Sequence, residues 1–373
     1  MSERLSADVA IIGGGTAGCS AALHLRRRGA SVVLLEARQC GSQASGVNFG
    51  GVRQQGRDWR ELPLSQRSRL MWDRLPDLVG HDCEFVASGH LKLARSAADM
   101  TVLEDWAVGA RASGIGVELF GRNAVRDRFP WLGDEVAGAS LVASDGYANP
   151  RLVAPHFARA ARAAGAEIRE GAKVVGATRD GGGFRLETSD GIDVAARALV
   201  NVAGAWGSEI AARFGEDVPE GVLSPNMIVS EPVPRVVTHS LGVVGGNLYL
   251  RQIDRGNVIF GGGRGLPDLA AVRSRPSPAS TQAALALAVA AVPALRQAQV
   301  IRTWTGLEGY MPDDIPVLGA SRTTPGLVHG FGFSGHGFQL GPAVGAVLAE
   351  LVLDGRTPTD IAPFAIERFA APV

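Results

Sequence analysis

The sequence has 373 residues, of which 46% are apolar and 20% are charged, the balance of a soluble globular protein. This length can form one large domain or two ordinary ones around a well-filled core. The 37 basic and 37 acidic residues cancel. The charge balance therefore excludes a protein built to bind nucleic acid or an anionic membrane surface.

We find no segment with the pattern of a signal peptide or a transmembrane helix. The N-terminus enters a strand at once, without the basic and apolar regions of a signal peptide. The longest clean apolar run, residues 283–292, is shorter than the roughly 20 residues that span a bilayer. We expect a cytoplasmic protein, which could still reach a membrane through a partner.

Cysteine and lysine are both scarce. Cys19, Cys40 and Cys83 are too few for a disulfide framework, and they are not spaced as metal ligands, so we predict no metal site. The basic residues are almost all arginine, because lysine occurs only at Lys92 and Lys173. This bias removes lysine from most mechanistic roles.

The predicted elements begin with a βαβ unit. Residues 8–12 have the pattern of a short buried strand, residues 13–18 form a glycine turn, residues 19–28 a helix and residues 31–36 a second strand. A glycine-rich stretch at residues 41–56 and a mostly helical region follow.

Beyond residue 150 the pattern predicts more strands than helices. A turn at residues 180–183 predicts a hairpin. The predicted strands are 166–169, 172–178, 184–188, 195–202, 248–252 and 258–261, and the predicted helices are 152–164, 280–292 and 342–353. We find neither repeats nor a low-complexity linker, which indicates domains that are interleaved along the chain.

The glycine turn fits the G-x-G-x-x-G pattern between a strand and a helix, the position that dinucleotide binding requires. Gly13 permits the tight turn, Gly15 lets the backbone approach a pyrophosphate, and Gly18 allows close packing of helix on strand. The helix that follows Thr16 and Ala17 offers free N–H groups and the positive end of its dipole to the phosphates.

Glu36 ends the second strand, where a carboxylate can bind the ribose hydroxyls, and Ala37 and Arg38 complete this predicted contact. A carboxylate here disfavours the 2′-phosphate of NADP. The motif alone leaves NAD and FAD open, and an incidental glycine turn is the alternative to both.

Later motifs resemble the FAD-dependent amine and amino-acid oxidase family, which includes glycine oxidase, sarcosine oxidase and D-amino-acid dehydrogenases. They follow the family order over nearly the whole length, and they are residues 45–53 (SGVNFGGVR), 172–175 (AKVV), 202–207 (VAGAWG), 302–306 (RTWTG), 312–313 (PD) and 332–341 (GFSGHGFQLG). The resemblance implies FAD as the cofactor.

The resemblance also implies a fold class, α/β with an α+β part, in the two-domain arrangement of glutathione-reductase-like flavoproteins. A Rossmann-like FAD-binding domain is expected from residues 1–80, 148–222 and 316–373. An antiparallel-sheet substrate domain, interleaved with it, is expected from residues 81–147 and 223–315.

By the same resemblance, residues 45–53 run along the flavin ring, Val174 gives main-chain contacts to the adenine end, and residues 202–207 lie on the second side of the pyrophosphate. The implied cofactor residues beyond the N-terminal motif are Ser45, Gly46, Gly51, Val52, Val174, Ala203, Gly204, Trp206, Gly306, Gly335, His336, Gly337, Phe338 and Gln339.

The last of these motifs also makes physical sense on its own. A glycine-dense loop before an amphipathic helix places the N–H groups of residues 335–339 where they can stabilise negative charge on a reduced flavin. His336 is then a flavin neighbour or a packing residue. A plain glycine-rich turn is the alternative.

A substrate carboxylate needs a cation, ideally the planar fork of an arginine. Arg53 is the leading candidate, because by resemblance sarcosine oxidases place such an arginine at the end of a similar segment. Tyr249 and Arg251 alternate along a predicted strand and so face the same side. Arg264 is a further candidate, and each arginine could instead be a surface charge or an ion-pair partner.

Three departures from the family change what the resemblance implies. Glycine-oxidase-like members carry an arginine where this chain has Glu308, which would repel a carboxylate but could bind an amine or pair with an arginine. No cysteine lies near Gly306 and no histidine near residues 45–53, so FAD is expected to be non-covalent. Residues 258–263 lack the lysine that sarcosine oxidases use towards oxygen, and Gln339 replaces another of their lysines.

The leading functional hypothesis is oxidation of the C–N bond of an amino or imino acid, by hydride transfer to flavin N5 and hydrolysis of the imine. The residues predicted to serve catalysis or substrate binding are Arg53, Tyr249, Arg251, Glu308 and His336. The electron acceptor is O2, a quinone or a partner subunit, and the missing lysine favours a dehydrogenase.

Two alternatives stay open. The first is oxidation of a 2-hydroxy acid, which usually recruits a base to the hydroxyl, and His90 or His239 could be that base. The second is a non-catalytic FAD-binding assembly or interaction subunit. The sequence does not name the substrate or its stereochemistry.

Overall fold

The computed structural model describes residues 3–370. The α-helices are α1 (Thr16–Arg27), α2 (Ala44–Val47), α3 (Leu62–Trp72), α4 (Leu75–Val79), α5 (Ala97–Ala112), α6 (Arg122–Arg128), α7 (Pro150–Ala163), α8 (Gly207–Ala212), α9 (Pro278–Ala291) and α10 (Gly337–Asp354). Short 3-10 helices lie at Gly204–Trp206, Pro293–Gln297, Ala362–Phe364 and Ile366–Phe369.

The strands are β1 (Glu3–Ile12), β2 (Val32–Glu36), β3 (Gly51–Val52), β4 (His90–Ala94), β5 (Glu118–Gly121), β6 (Gly138–Val142), β7 (Gly146–Tyr147), β8 (Glu167–Glu170), β9 (Val174–Asp180), β10 (Gly183–Thr188), β11 (Ile192–Asn201), β12 (Gly221–Leu223), β13 (Pro225–Pro232), β14 (Ser240–Val243), β15 (Tyr249–Gln252), β16 (Asn257–Arg264), β17 (Leu266–Asp268), β18 (Arg273–Arg275), β19 (Val300–Trp304), β20 (Glu308–Tyr310), β21 (Val317–Ala320) and β22 (Leu327–Phe331).

The first large sheet contains the predicted βαβ unit. Its strand order is β21-β22-β11-β1-β2-β8, and β9 and β10 form the predicted hairpin beside β11. β1 runs parallel to both β2 and β11, with Val9 opposite Val32 on one side and Ala198 on the other. The central strands are apolar runs because both of their faces are buried.

The second large sheet has the order β19-β13-β16-β15-β14-β4-β6-β5. Its neighbours are antiparallel except for β14 and β4, which run parallel. The chain supplies strands to the first sheet three times (β1–β2, β8–β11 and β21–β22) and to the second sheet twice in between, so the two sheets are interleaved along the sequence. The domain limits implied by the resemblance stay a prediction.

The observed elements follow the predicted ones and differ mainly at their ends. The starts of two elements differ most, by five residues each: β1 begins at Glu3 and not at Asp8, and α10 begins at Gly337 and not at Pro342. Proline favours the first turn of a helix, but here it lies in the second turn. Its carbonyl oxygen accepts a hydrogen bond from Ser20 Oγ at 2.9 Å, which ties α10 to α1.

Helix α10 lies in the largest hydrophobic cluster, packed on α1 and α3. Gly341 and Gly345 permit the close approach, because a Cβ on Gly341 would lie 2.7 Å from Thr16 Cγ2 and one on Gly345 would clash with Ser20. Within residues 3–370, α10 is the helix long and apolar enough to span a membrane, and 67% of it is buried in the protein. That burial is typical of a core helix.

Candidate functional site

The turn between β1 and α1 forms a cradle of closely packed backbone. Gly13 has a φ of +114°, and a Cβ there would clash with the carbonyl oxygen of Val202. A Cβ on Gly18 would clash in turn with the carbonyl oxygen of Gly13. Both positions therefore require glycine, as predicted for the tight turn at Gly13 and the close packing of helix on strand at Gly18.

The N-terminus of α1 is open towards the space that the cradle borders. Gly15 is the N-cap residue and has no side chain to cap the helix, so N–H groups of the first turn beyond Thr16 can face a ligand. The Thr16 N–H donates to Ser45 Oγ at 3.0 Å, while Thr16 Oγ1 is buried without a partner. A glycine cradle, an uncapped helix end and an orphaned hydroxyl fit the pyrophosphate of the predicted FAD.

Glu36 ends β2 as predicted, and its carboxylate faces the glycine turn. Oε2 accepts the Gly14 N–H at 2.7 Å, and Oε1 accepts the Arg38 N–H at 2.8 Å. Burial raises the pKa of Glu36, and these two hydrogen bonds oppose the rise. The carboxylate therefore holds the turn in shape, while its contact with ribose hydroxyls stays a prediction.

A second wall joins two segments that are 257 residues apart in the chain. Trp304 Nε1 donates to the carbonyl oxygen of Val47 at 2.7 Å. Gly306 also lies against this residue, since a Cβ on it would clash with Val47 Cγ2. The glycine-rich stretch and the Arg302-Thr-Trp-Thr-Gly306 motif are thus brought together beside the cradle.

These walls and the loop before α10 enclose a cavity of about 240 Å³. The predicted cofactor residues that line it are Gly15, Thr16, Ala17, Ser45, Gly51, Gly204, Gly306, Gly335, Gly337 and Phe338. Those outside its lining are Gly13, Gly18, Glu36, Ala37, Arg38, Gly46, Val52, Val174, Ala203, Trp206, His336 and Gln339. None of the three cysteines lines the cavity, so its wall offers no thiol for a covalent flavin link.

The side chain of Gln339 is held by α3 and is not on the cavity lining, while the contact predicted for its backbone N–H stays a prediction. Its Nε2 donates to the carbonyl oxygen of Ser65 at 2.9 Å, and its Oε1 accepts from Ser65 Oγ at 3.0 Å. Its own carbonyl oxygen accepts from Trp72 Nε1 at 2.9 Å. Gln339 lies on the face of α10 that packs on α3, so its side chain fastens two helices.

Of the predicted substrate residues, Arg53, Tyr249 and Glu308 line the cavity and Arg251 does not. Arg251 and Tyr249 share a face of β15, since both contact Phe49. The Arg251 guanidinium, however, lies 4.7 Å from the centre of the Tyr147 ring, and a Cβ on Gly50 would be 2.9 Å from its Nη2. Arg251 therefore lies off the cavity lining, its Nε is buried without a hydrogen-bond partner among the described residues, and its contact with substrate stays a prediction.

One wall of the cavity is cationic. Arg53 Nη1 donates to the Gln55 carbonyl oxygen at 2.5 Å, and Arg57 Nε donates to the Arg53 carbonyl oxygen at 3.2 Å. Arg57 Nη1 is buried without a partner. Burial lowers the pKa of both guanidinium groups, that of Arg57 to about 9. Sequence reasoning missed Arg57, because residues 53–57 form no helix or strand whose period would indicate that Arg57 faces the same side as Arg53.

Lys92 and His90 lie close to this wall. His90 lines the cavity, and Lys92 follows it by two residues on β4, which puts both on one face. A Cβ on Gly56 would lie 2.5 Å from Lys92 Nζ. Burial and the charge of Arg53 lower the pKa of Lys92 to about 8. Lys92 therefore lies close to the site, although it is not on the lining.

Behind the cationic wall lies a fully buried carboxylate, Glu61. Its Oε2 is 2.7 Å from His336 Nδ1 and 3.9 Å from Arg57 Nη1, without well-formed hydrogen-bond geometry at either contact. Burial raises the pKa of Glu61, but His336 and Arg57 outweigh this and the net shift is downward. Burial lowers the pKa of His336 to about 4. Glu61 thus places a negative charge beside His336 and the two arginines.

Glu61→Gln should lower the free energy of unfolding by about 3 kcal/mol at neutral pH, because it leaves buried Arg57 without its counter-charge. The carboxyl pKa is lowered in the folded state, so Glu61 stabilises at pH above its unfolded pKa. The difference in free energy of unfolding between the parent protein and Glu61→Gln should therefore shrink as the pH falls through the folded pKa of Glu61. Denaturant unfolding of the FAD-loaded protein at several pH values measures it.

Exposed Glu104 supplies the control for that experiment, since Glu104→Gln removes a solvated carboxylate. We expect a change within about 0.5 kcal/mol at every pH. Equal stability of Glu61→Gln and Glu104→Gln at neutral pH would contradict the assignment of Glu61 as the counter-charge.

Glu308 lies on the cavity lining, and its pKa is shifted in the opposite direction to that of Glu61. Burial raises the pKa of Glu308 to about 7, and its Oε1 accepts the Gly335 N–H at 3.0 Å. Arg264 Nη1 donates to the Tyr310 hydroxyl at 2.9 Å and stacks over that ring. The Tyr249 hydroxyl donates to the Asn226 carbonyl oxygen at 3.1 Å. A carboxyl group that gains and loses its proton near neutral pH thus borders the cavity.

Tyr310 was not singled out from the sequence, although it lies on the cavity lining. It follows Glu308 by two residues on β20. Alternation along a strand puts residues two apart on the same face, so Glu308 was itself the signal for Tyr310.

Comparisons with known proteins agree with this geometry. Residues 8–351 match the family described as FAD dependent oxidoreductase. The chain is 29% identical to glycine oxidase of Geobacillus kaustophilus over 97% of each chain, and 27% identical to sarcosine oxidase subunit beta of Rhizobium meliloti over 97% of this chain and 88% of that one.

Solved structures show the same likeness over the whole length. A crystal structure of the Geobacillus kaustophilus glycine oxidase superposes with a TM-score of 0.90 at 26% identity, covering 98% of this chain and all (100%) of that one. The L-proline dehydrogenase of P. horikoshii superposes with a TM-score of 0.89 at 26% identity, covering 99% and 98%. The mixed α/β fold is confirmed.

Proposed function

Because the chain belongs to the family of FAD-dependent oxidoreductases, we propose that it oxidises the C–N bond of a small amino or imino acid. Bound FAD supplies the hydride acceptor, and the glycine cradle and the α1 N-terminus are the residues that would hold it. The observation that carries the proposal is a cavity of about 240 Å³ whose lining holds two groups of opposite chemistry. Arg57 offers an Nη1 that has no hydrogen-bond partner among the described residues, and Glu308 offers a carboxyl group whose pKa is about 7.

The cationic wall suits the substrate carboxylate. Arg53 and Arg57 both line the cavity, and buried Arg57 Nη1, although 3.9 Å from Glu61, has no hydrogen-bond partner among the described residues. A guanidinium group in a part-dry site binds a carboxylate strongly, because each charge replaces water that the other has lost. Arg53 and Arg57 would hold the carboxylate and so orient the C–H bond of the substrate.

Glu308 suits the substrate nitrogen. An amino acid arrives mainly as an ammonium zwitterion, but the C=N bond of the imine needs a free electron pair on nitrogen. A carboxylate whose pKa is about 7 can accept the ammonium proton close to neutral pH. Tyr249 and Tyr310, whose hydroxyls are held by Asn226 and Arg264, would close the apolar sides of the pocket.

The similar proteins are named for glycine, sarcosine and L-proline, which are small amino or imino acids. We therefore place glycine, N-methylglycine and proline among the first compounds to test, with D-amino acids, hydroxyprolines and opines beside them.

The proposal predicts a pH-dependent limb in kcat/KM near pH 7 that belongs to Glu308. Its ionised form, which dominates above pH about 7, is the one that attracts and deprotonates the amine, so kcat/KM should rise with pH through this range. In Glu308→Gln the limb should vanish and kcat/KM at higher pH should fall about 10- to 100-fold. Steady-state rates across pH about 5 to 9 measure both effects.

Glu220 offers a matched control. Burial raises its pKa to about 7 as well, but it is absent from the cavity lining and its Oε2 accepts the Ser208 N–H at 2.9 Å. Glu220→Gln should keep the limb. A limb that survives in Glu308→Gln, or that disappears in Glu220→Gln alone, would assign the titration to another group and remove the role proposed for Glu308.

The central experiment is anaerobic reduction of the flavin, followed as bleaching near ~450 nm. The FAD-loaded protein is mixed with each amino or imino acid and with 2-hydroxy acids as a comparison set. Bleaching by an amino or imino acid supports C–N oxidation. Bleaching by hydroxy acids alone overturns it in favour of C–OH oxidation, and no bleaching by any compound overturns it in favour of a non-catalytic subunit.

Admission of air to the reduced protein then identifies the acceptor class. We propose a cytoplasmic dehydrogenase that passes electrons to a quinone or a partner subunit, because no lysine lies on the cavity lining. Slow recovery of absorbance in air, with fast recovery on addition of a soluble quinone, is the expected result. Recovery in air at the turnover rate would make the protein an oxidase instead.

A further inference from the structure

Three side chains of metal-binding type meet away from the cavity lining, between the end of α4 and helix α7. His81 and Cys83 lie just after α4, and His156 lies in the second turn of α7. Their ligand atoms, two imidazole nitrogens and one sulfur, are all within 4.8 Å of one another. Both histidines are partly exposed and the cysteine is buried beneath them, which gives an ion a path from solvent.

The ring of His156 is already oriented as a metal ligand would be. Its Nδ1 lies 2.7 Å from the carbonyl oxygen of Leu152, one helical turn earlier. Since a carbonyl can only accept, Nδ1 carries the proton and the lone pair of the neutral ring is on Nε2. Histidines that bind metals usually donate their other ring N–H to a carbonyl or carboxylate in this way.

The ring of His81 is held over the cysteine. Its Nδ1 accepts the Cys83 N–H at 2.8 Å, and the Asp82 carboxylate oxygen is 3.4 Å from the same nitrogen. The His81 and His156 ring centres are 4.2 Å apart. Because Nδ1 accepts the Cys83 N–H, the proton of the neutral ring is on Nε2. Binding of an ion through Nε2 would move that proton to Nδ1, which a small turn of the ring brings towards the Asp82 carboxylate as its acceptor.

The backbone at Cys83 is strained, and hydrogen bonds from Asn149 hold it in place. Cys83 and Glu84 have φ values of +55° and +53°, in the left-handed region that L-residues rarely adopt. The Asn149 N–H donates to the Cys83 carbonyl oxygen at 2.9 Å, and the Asn149 side chain donates to Glu84 Oε2 at 3.1 Å. This conformation turns the cysteine towards the two histidines.

We propose that His81, Cys83 and His156 bind a zinc ion. In a tetrahedral zinc site with these ligands, the ligand atoms are about 3.5 Å apart, so modest side-chain rotations close the present cluster around an ion. One thiolate and two imidazoles suit zinc, whereas calcium and magnesium require oxygen ligands. The fourth position is left to water or to the adjacent Asp82 carboxylate.

Such an ion would fasten the segment after α4 to α7, across 73 residues of chain between Cys83 and His156. That segment continues into the bridge between Val86 and Tyr147, whose ring covers Arg251. The site is separate from the cavity, since none of its three residues lines it. Zinc should therefore stabilise the fold whether or not the proposed oxidation is correct.

The test uses the tag-free, FAD-loaded full chain, treated with a chelator and desalted. Co2+ is added, and difference spectra against the metal-free protein cancel the flavin absorbance. We expect saturation near about one equivalent, a near-ultraviolet thiolate-to-cobalt band, and displacement by Zn2+. Zn2+ should also raise the thermal midpoint of the protein.

Cys83→Ser should lose the thiolate band, and Cys83→Ser and His156→Gln should each weaken Zn2+ binding at least about tenfold. His239→Gln, which removes a histidine outside the cluster, should change neither. The midpoint of each variant without metal and its flavin content show that it is folded. Absence of saturable binding in the parent protein, or an unchanged cobalt band in Cys83→Ser, overturns the proposal.

Discussion

Gly18→Ala will leave the purified protein largely without FAD. The new Cβ would clash with the carbonyl oxygen of Gly13 and lie 3.0 Å from Val202 Cγ2. To relieve the clash, α1 must move away from β1 or the turn at Gly13 must open, and either change removes N–H groups from the pyrophosphate. Overpacking of this kind costs about 1–3 kcal/mol. FAD affinity should therefore fall at least about tenfold.

The measurement is the ratio of flavin to protein after purification, followed by titration of the FAD-free protein with FAD. Gly121→Ala is the matched control, because a Cβ at Gly121 meets no atom within 4 Å and its φ of −74° suits alanine. The control should purify with its full FAD. Unchanged FAD affinity in Gly18→Ala would mean that the cofactor binds elsewhere than at the glycine cradle.

The cradle could be predicted because its signal is local. Gly13, Gly15 and Gly18 have a fixed spacing, and the strand and helix around them have distinct periodicities, so short-range geometry decides the outcome. The same holds for the hairpin at residues 180–183. The start of α10 was placed too late, because Pro342 favours a first turn locally, whereas contacts of α10 with α1 and α3 extend the helix back to Gly337.

The composition of the cavity wall was less predictable because it depends on distant partners. Alternation puts Tyr249 and Arg251 on one face, but Phe49 and Gly50 from another segment decide that only Tyr249 reaches the cavity. Gln339 was placed at the cofactor by its motif, yet the packing of α10 on α3 turns its side chain away.

The meeting of His81 and Cys83 with His156 could not be read from spacing either. More than 70 residues separate Cys83 from His156. No local periodicity records that α7 returns past the end of α4. Such contacts are properties of the packed fold, and a sequence pattern of short range carries no information about them.

Arg53→Met should lower kcat/KM for the best amino or imino acid substrate about 10²- to 10³-fold, mostly through KM. The reason is that Arg53 lies on the cavity wall and its hydrogen bond to the Gln55 carbonyl oxygen uses Nη1 alone. The other nitrogen atoms of the guanidinium group can therefore donate to a carboxylate. Loss of one partner of a buried, hydrogen-bonded charge pair costs about 2–5 kcal/mol. Arg53→Lys, which keeps the charge but not the fork, should recover only part of the loss.

A second substrate separates carboxylate binding from general damage to the site. For an amine that matches the substrate but lacks the carboxylate, kcat/KM should be low in the parent protein and nearly unchanged in Arg53→Met, since there is no charge pair to lose. Arg95→Met removes an exposed arginine that lies off the cavity, and it should leave both values unchanged. An equal loss for the acid and the amine in Arg53→Met would show that Arg53 supports the pocket and does not bind the carboxylate, and Arg57, with its unpaired Nη1, would become the candidate for that contact.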